Sequence, residues 1–134
     1  FPDKDVSNLS SNDGSIVAKL HYGKTSVLLQ GDAPAEVERY LLSIKENTKA
    51  LKTDILKVGH HGSRTSTVLS YVTEASPKFA VISCGKDNRY GHPHKEVLQT
   101  LQEAGVPALR TDVEGRIVFL SNGESIWRKE GFFK

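Results

Sequence analysis

The sequence predicts an α/β layered protein built on a mixed sheet, and three observations predict it. Apolar segments of strand length alternate with segments of helical period through the middle of the chain. Hairpin patterns stand at both ends, so antiparallel strands accompany the parallel ones that crossover helices create. The run "KFAVISCG", residues 78 to 85, is nearly continuously apolar, as expected of a strand covered on both faces.

Each element follows from its pattern. Residues 1 to 14, rich in Ser, Asn and Asp, carry no period and are expected as an irregular arm. "SIVAKLHYG" alternates, placing Ile16, Ala18, Leu20 and Tyr22 on one face; the turn "GKT" returns the chain into "SVLLQGD" as a hairpin. "APAEVERYLLSIKE" is helical, with Pro34 suited to a first turn and Val37, Leu41 and Ile44 at helical spacing. "TDILKVG" is a strand. "STVLSYVTEA" is a short helix for which Ser66 is the expected N-cap. After residues 78 to 85, "HPHKEVLQTLQEAG" is a helix with Pro93 in its first turn and Gly105 just past its end. "PALRT" is a strand, and "GRIVFLSNGESIWRK" is a hairpin turning at "NG".

Composition bounds the function. A chain of 134 residues is one domain's length and can bury a real core. With 18 basic and 16 acidic side chains, the formal charge of +2 gives no bulk attraction to nucleic acid. The single cysteine, Cys84, excludes an internal disulfide and a four-thiolate zinc site, and reads as a small buried hydrophobe. No apolar run approaches the roughly 20 residues that span a bilayer. The first residues lack the basic and apolar blocks of a signal peptide.

Four of the five histidines fall in two short loops, "GHHGS" and "RYGHPH". His21, in the first hairpin, reads as a surface or packing residue. Sites in α/β sheets form beyond the carboxyl ends of strands. "QGD", "GHHGS" and "GKDNRYGHPH" all follow strands, so all three are expected on one edge. Asp32 has two readings that coexist, an N-cap and a metal ligand. His60 and His61 are either polar loop residues or candidates for metal and substrate; adjacent positions on one strand seldom both reach one ion. Gly59 and Gly62 permit close approach and positive φ. Ser63 can donate to a phosphate. His92 either caps the following helix or faces an anion at its N-terminus, where Asn88 and Arg89 add donors. His94 is expected in the first helical turn, directed to the same edge.

The blocks "LLQGD", "DILKVGHHGS", "AVISCGKDNRYGHPHKEVLQTLQEAGV" and "LRTDVEGRIVF" resemble, from about residue 12 to 121, the metallo-β-lactamase-like domain of ComEC-type DNA-uptake (competence) proteins. "GHHGS" together with "NRYGHPH" carries the resemblance. It implies an αββα sandwich, a binuclear zinc or manganese centre and hydrolysis of phosphodiesters. It implies single-stranded DNA as substrate and a membrane channel portion in the parent protein, at the extracytoplasmic face of a bacterial membrane. Asp32 matches the acidic residue that bridges two metals, and one of the paired histidines matches the last metal-ligand motif. The assignment expected is Asp32 and His61 at metal, His60 and His94 at the reacting group, and Ser63, Asn88, Arg89 and His92 at phosphate.

The chain departs from that family in one large respect: the H-x-H-x-D-H signature is absent. Residues 1 to 134 therefore correspond to the C-terminal half of such a domain, with helices on one side of the sheet and the other sheet face uncovered. A second copy pairing through that face would also cover it. Metal is expected to bind weakly or not at all, and the chain alone to be inactive. The competing expectation is a non-catalytic half-domain that binds nucleic acid or phosphate, its histidines serving as anion contacts. Counting metal ligands separates the two.

Overall fold

The structure, a computed structural model, describes residues 8, 10–44 and 47–129. Most of the expected N-terminal arm lies outside the described residues; within it, residues 11–14 form a turn closed by the Gly14 amide donating to the Ser10 carbonyl at 3.0 Å.

The chain folds as a mixed α/β domain. Strands β1 (Ala18–Tyr22), β2 (Thr25–Leu29), β3 (Ile55–Lys57), β4 (Phe79–Ile82) and β5 (Ala108–Arg110) form one five-stranded sheet in sequence order. β1 pairs antiparallel with β2; the remaining neighbours are parallel. Parallel neighbours need crossovers, and helices α1 (Ala35–Ser43), α2 (Asn47–Leu51), α3 (Leu69–Ala75) and α4 (Lys95–Glu103) lie in them. A short helix α5 (Thr111–Glu114) follows β5, and β6 (Phe119–Ser121) and β7 (Ile126–Arg128) form a separate antiparallel ribbon. Neither α2 nor α5 has the length at which a period becomes legible, and the sequence pattern predicts neither.

The core occupies one sheet face. Leu28, Leu56, Ala80 and Ile82 alternate onto it and meet Val37 and Leu41 of α1, Tyr71, Val72 and Ala75 of α3, and Val97 and Leu101 of α4. Each such buried aliphatic side chain stabilises by about 1.5–3 kcal/mol. Three helix starts differ from expectation. Pro34 takes the N-cap position of α1, which moves Asp32 off the cap. At α3 the cap residue is Val68, not Ser66, whose hydroxyl donates instead to the carbonyls of Gly59 and Ser63. The two amides leading into the helix are bound by the buried carboxylate of Glu38 from α1: Thr67 N–H donates to Oε1 and Val68 N–H to Oε2, both at 2.7 Å. Pro93 precedes α4 rather than lying inside it, and His94 is its N-cap residue.

The opposite sheet face is open, as half of a sandwich leaves it. The ribbon covers one part: the rings of Phe79 and Phe119 stand 5.5 Å apart, and Thr25 Oγ1 and Ser121 Oγ share a 2.8 Å hydrogen bond. Beyond it Leu20 and Tyr22 are each 61% exposed and Leu29 42%. The apolar alternation of β1 is real, but it lines this open face. Its inward position 19 is a lysine whose ammonium donates to the carbonyls of Ala50 and Lys52 at the end of α2. Among the described residues no helix is long and apolar enough to cross a membrane.

Candidate functional site

The three polar loops after β2, β3 and β4 converge on the carboxyl edge of the sheet. They border a cleft of about 430 Å³ lined by Asp32, His60, His61, Cys84, Gly85, Asn88, Tyr90 and His92. Backbone contacts join the loops. His60 N–H donates to the Gly31 carbonyl at 3.0 Å, and His94 N–H donates to the Gly62 carbonyl at 2.9 Å. Close approach explains the glycines: a Cβ on Gly59 would stand 2.9 Å from the Ala33 carbonyl oxygen, and one on Gly62 2.7 Å from Pro93 Cβ.

Between those glycines the chain makes a left-handed turn. His60 has φ +46°, His61 φ +55° and Gly62 φ +82°. A non-glycine residue in that region is strained by roughly 1–3 kcal/mol, and such residues cluster at functional sites. The turn overrides the strand alternation that would separate neighbouring side chains, so both His60 and His61 line the cleft.

The closest acid–base pair is Asp32 with His61. The Nδ1 of His61 lies 2.6 Å from the Ser83 carbonyl, an acceptor only, so Nδ1 carries the proton. In the neutral ring Nε2 is then a bare acceptor, and it faces Asp32 Oδ1 at 3.4 Å. Two acceptors so placed favour a positive charge between them, either a proton on the ring or a metal cation. With metal–ligand bonds near 2.1 Å, that separation subtends roughly 110° at the ion, the tetrahedral angle. The backbone hydrogen bond on the far ring nitrogen is the usual support of a ligating histidine. The pair thus fits a metal. Among the described residues, however, no group of three or more His, Cys, Asp or Glu side chains is placed to hold one.

His92 sits at the centre of the histidines. Its ring lies 4.9 Å from that of His94 and 5.9 Å from that of His60, both edge-on, and 6.5 Å from that of His61 in near-parallel orientation. Burial first, then the neighbouring His94, His60 and His61, hold its pKa below the ordinary imidazole value. Asn88 grips the His92 backbone at both ends: Oδ1 accepts from its N–H at 2.9 Å, and Nδ2 donates to its carbonyl at 2.6 Å. The second Nδ2 proton goes to the Gly85 carbonyl at 2.9 Å. Asn88 therefore borders the cleft with its amide protons already engaged.

The other expected residues stand behind the cleft or at its side. Ser63 is buried, its hydroxyl 3.0 Å from that of Thr65. His94 does not line the cleft; its Nδ1 accepts the Arg64 backbone N–H at 3.1 Å. Arg89 lies outside the lining as well, its guanidinium carbon 4.9 Å from the Tyr90 ring centre and its Nη2 donating to the Tyr90 hydroxyl at 2.6 Å. His21 is exposed.

Other residues enter that the sequence pattern does not single out. Cys84 is half-buried, packed against the core and bordering the cleft, its thiol donating to Asp112 Oδ1 at 3.3 Å. Burial, then Asp112, push that thiol's pKa up, which keeps it protonated. Asp112 is held in turn by Arg110, Nε to Oδ1 at 3.1 Å and Nη2 to Oδ2 at 2.5 Å. Lys57 donates to the Gly31 carbonyl at 3.3 Å, and burial lowers its pKa against the opposing pull of Asp32. The "LRTD" block and the lysine of "LKVGHH" were the available signals for both.

Fold and cleft together define a class: a mixed α/β domain with one covered sheet face and a histidine–carboxylate cleft at the carboxyl edge of its strands. No family model matches the chain. By sequence it is similar to ComE operon protein 3 of Bacillus subtilis, 44% identical over 110 residues, which are 82% of this chain and 14% of that protein. Recombination protein 2 of Haemophilus influenzae is 37% identical, over 84% of this chain and 14% of that protein. Competence protein ComA of Neisseria gonorrhoeae is 33% identical, over 84% of this chain and 16% of that protein. These homologues point to the competence family. The chain spans only about one seventh of the length of these relatives.

Proposed function

We propose that the chain is the histidine-bearing half of a metal-dependent phosphodiesterase domain that acts on single-stranded DNA, within a longer competence protein. One observation carries this reading: Asp32 Oδ1 and Nε2 of His61, whose Nδ1 is tied to the Ser83 carbonyl, face each other at tetrahedral-ligand spacing. The remaining metal ligands come from another part of the domain, which also covers the open sheet face. A divalent ion held by Asp32 and His61 with those further ligands, zinc or manganese, would activate a water and neutralise charge on the phosphoryl oxygens. His60 lies in the same cleft, where it orients the attacking water or protonates the leaving oxygen. His92 lines the cleft beside it, and His94 stands behind His92. The names of the relatives support the association with competence; a position at the outer face of a bacterial membrane, beside a channel, is part of the same proposal.

Two ligands are fewer than the three or four a zinc site normally uses. Complete four-ligand sites bind with about 10–16 kcal/mol, so half a set leaves roughly 5–8 kcal/mol, a Kd of roughly 1–200 µM. Residues 1–134 are therefore expected to take up zinc in that range and manganese more weakly, with zinc-induced NMR shifts confined to the loops of Asp32 and His61. Two ions bound per chain at submicromolar Kd would contradict the half-site. Zinc binding unaltered by Asp32→Ala and His61→Ala, alongside retained DNA binding, would favour the non-catalytic half-domain instead.

A further inference from the structure

Glu38 is a charged-type side chain with no exposure at all, inside the apolar face of α1. Burial raises its pKa against three hydrogen bonds that favour the carboxylate. A helix fully committed to packing has no need of it, so its partners indicate its use. Oε1 and Oε2 receive the N–H groups of Thr67 and Val68, where the chain leaves the "HHGSRTS" loop; Thr67 has φ +70°. Oε1 also receives Gln30 Nε2 at 2.9 Å, where the chain leaves β2 for Gly31 and Asp32. Gln30 is fully buried and its Oε1 finds no partner among the described residues, so the bond to Glu38 is what orients it. A further bond, from Ala35 N–H to the Thr65 carbonyl at 2.7 Å, runs between the same two segments.

We infer that Glu38 is a positioning residue: one buried carboxylate ties the Asp32 loop to the His61 loop and thereby sets the separation of the two candidate metal ligands. The inference rests on the metal reading of Asp32 and His61 above. Glu38 touches neither ligand. It acts by fixing the backbone on both sides of the cleft.

Glu38→Gln isolates the effect. The amide keeps one acceptor oxygen and turns an N–H₂ group toward a backbone N–H, so two donors meet and one tie is lost. The probe is zinc alone, titrated into residues 1–134 and followed by two-dimensional NMR. The Kd of Glu38→Gln is expected to rise at least tenfold, with the folded spectrum kept. Leu41→Ala, on the same helix and buried without any polar tie, is the control. It is expected to lower the melting temperature by as much or more while leaving the zinc Kd within twofold of the parent. If Glu38→Gln does not fold, Gln30→Met, which removes only the Asp32-side tie at similar volume, carries the same expectation with a smaller rise of about threefold or more. Zinc binding by Glu38→Gln or Gln30→Met equal to the parent would overturn the inference. So would an equal loss in Leu41→Ala. Asp32→Ala and His61→Ala separate the two readings: if both bind zinc like the parent, the ligand assignment falls and this inference with it. If both lose zinc and Glu38→Gln does not, only the role of Glu38 falls.

Discussion

Asp32→Ala or His61→Ala, made in a longer protein carrying this chain, is expected to lower manganese-dependent cleavage of a labelled single-stranded oligonucleotide by roughly a thousandfold or more. A single electrostatic donor at a transition state is worth about 10²–10³ in rate, and loss of a ligand removes the ion together with its hydroxide. Stability should hardly move. Both side chains are nearly half exposed, and exposed substitutions usually stay within about 0.5 kcal/mol. The same assay on residues 1–134 alone should show no cleavage, because the chain lacks the H-x-H-x-D-H signature. Chelator-sensitive cleavage by the short chain, equal to that of the longer protein, would refute the half-site. Undiminished cleavage by the longer protein carrying Asp32→Ala would refute its place at the metal.

Gly62→Ala is expected to be the most damaging single-methyl change near the cleft. Gly62 has φ +82°, and an added Cβ would stand 2.7 Å from Pro93 Cβ and 3.2 Å from Ile82 Cγ2. Neither neighbour is the free end of a flexible side chain, and the Gly62 carbonyl also holds the N–H of His94. Backbone strain and overpacking together cost roughly 2–4 kcal/mol. For a chain of this size that is a fall in Tm of roughly 5–15 °C, measurable by circular dichroism. Gly91→Ala supplies the comparison. Its φ is +69° and nothing lies within 4 Å of the added carbon, so only the strain of the dihedral, roughly 1 kcal/mol, should register. If both variants melt alike, the loops do not meet as tightly as described.

How much of this was legible in the sequence depends on the range of each interaction. The strands, the two end hairpins and the body of α4 are set by local period and turn residues, and they stand where the pattern puts them, although α4 begins after Pro93 rather than around it. The convergence of the three loops was legible because it follows from topology alone. The cap of α3 was not. Ser66 satisfies every local criterion for it, yet the amides go to Glu38, 29 and 30 residues earlier in the chain. The one visible hint was a carboxylate beside Val37 on the apolar side of α1. Asn88 and Ser63 had the right chemistry for phosphate, but their hydrogen-bonding groups are engaged by neighbours that no spacing rule discloses. Cys84 ends an apolar strand, and only the position of Asp112 shows that its sulfur faces polar company. The alternation in β1 was correctly read as one apolar face. Which way that face points depends on layers, and this chain supplies the helices of one layer only.

The turn through His60 and His61 sets stability and chemistry against each other. A chain chosen for thermal endurance alone would carry glycine or asparagine in place of His60, since those residues enter the left-handed region with least penalty. Replacing His60 by glycine should therefore leave the domain as stable or somewhat more so, whereas at His61 the relief is offset by the lost hydrogen bond to the Ser83 carbonyl. The two imidazoles are kept at positions where the backbone would sooner be rid of them. In an engineered variant of this domain, the easiest gain in robustness is thus the one that dismantles the cleft.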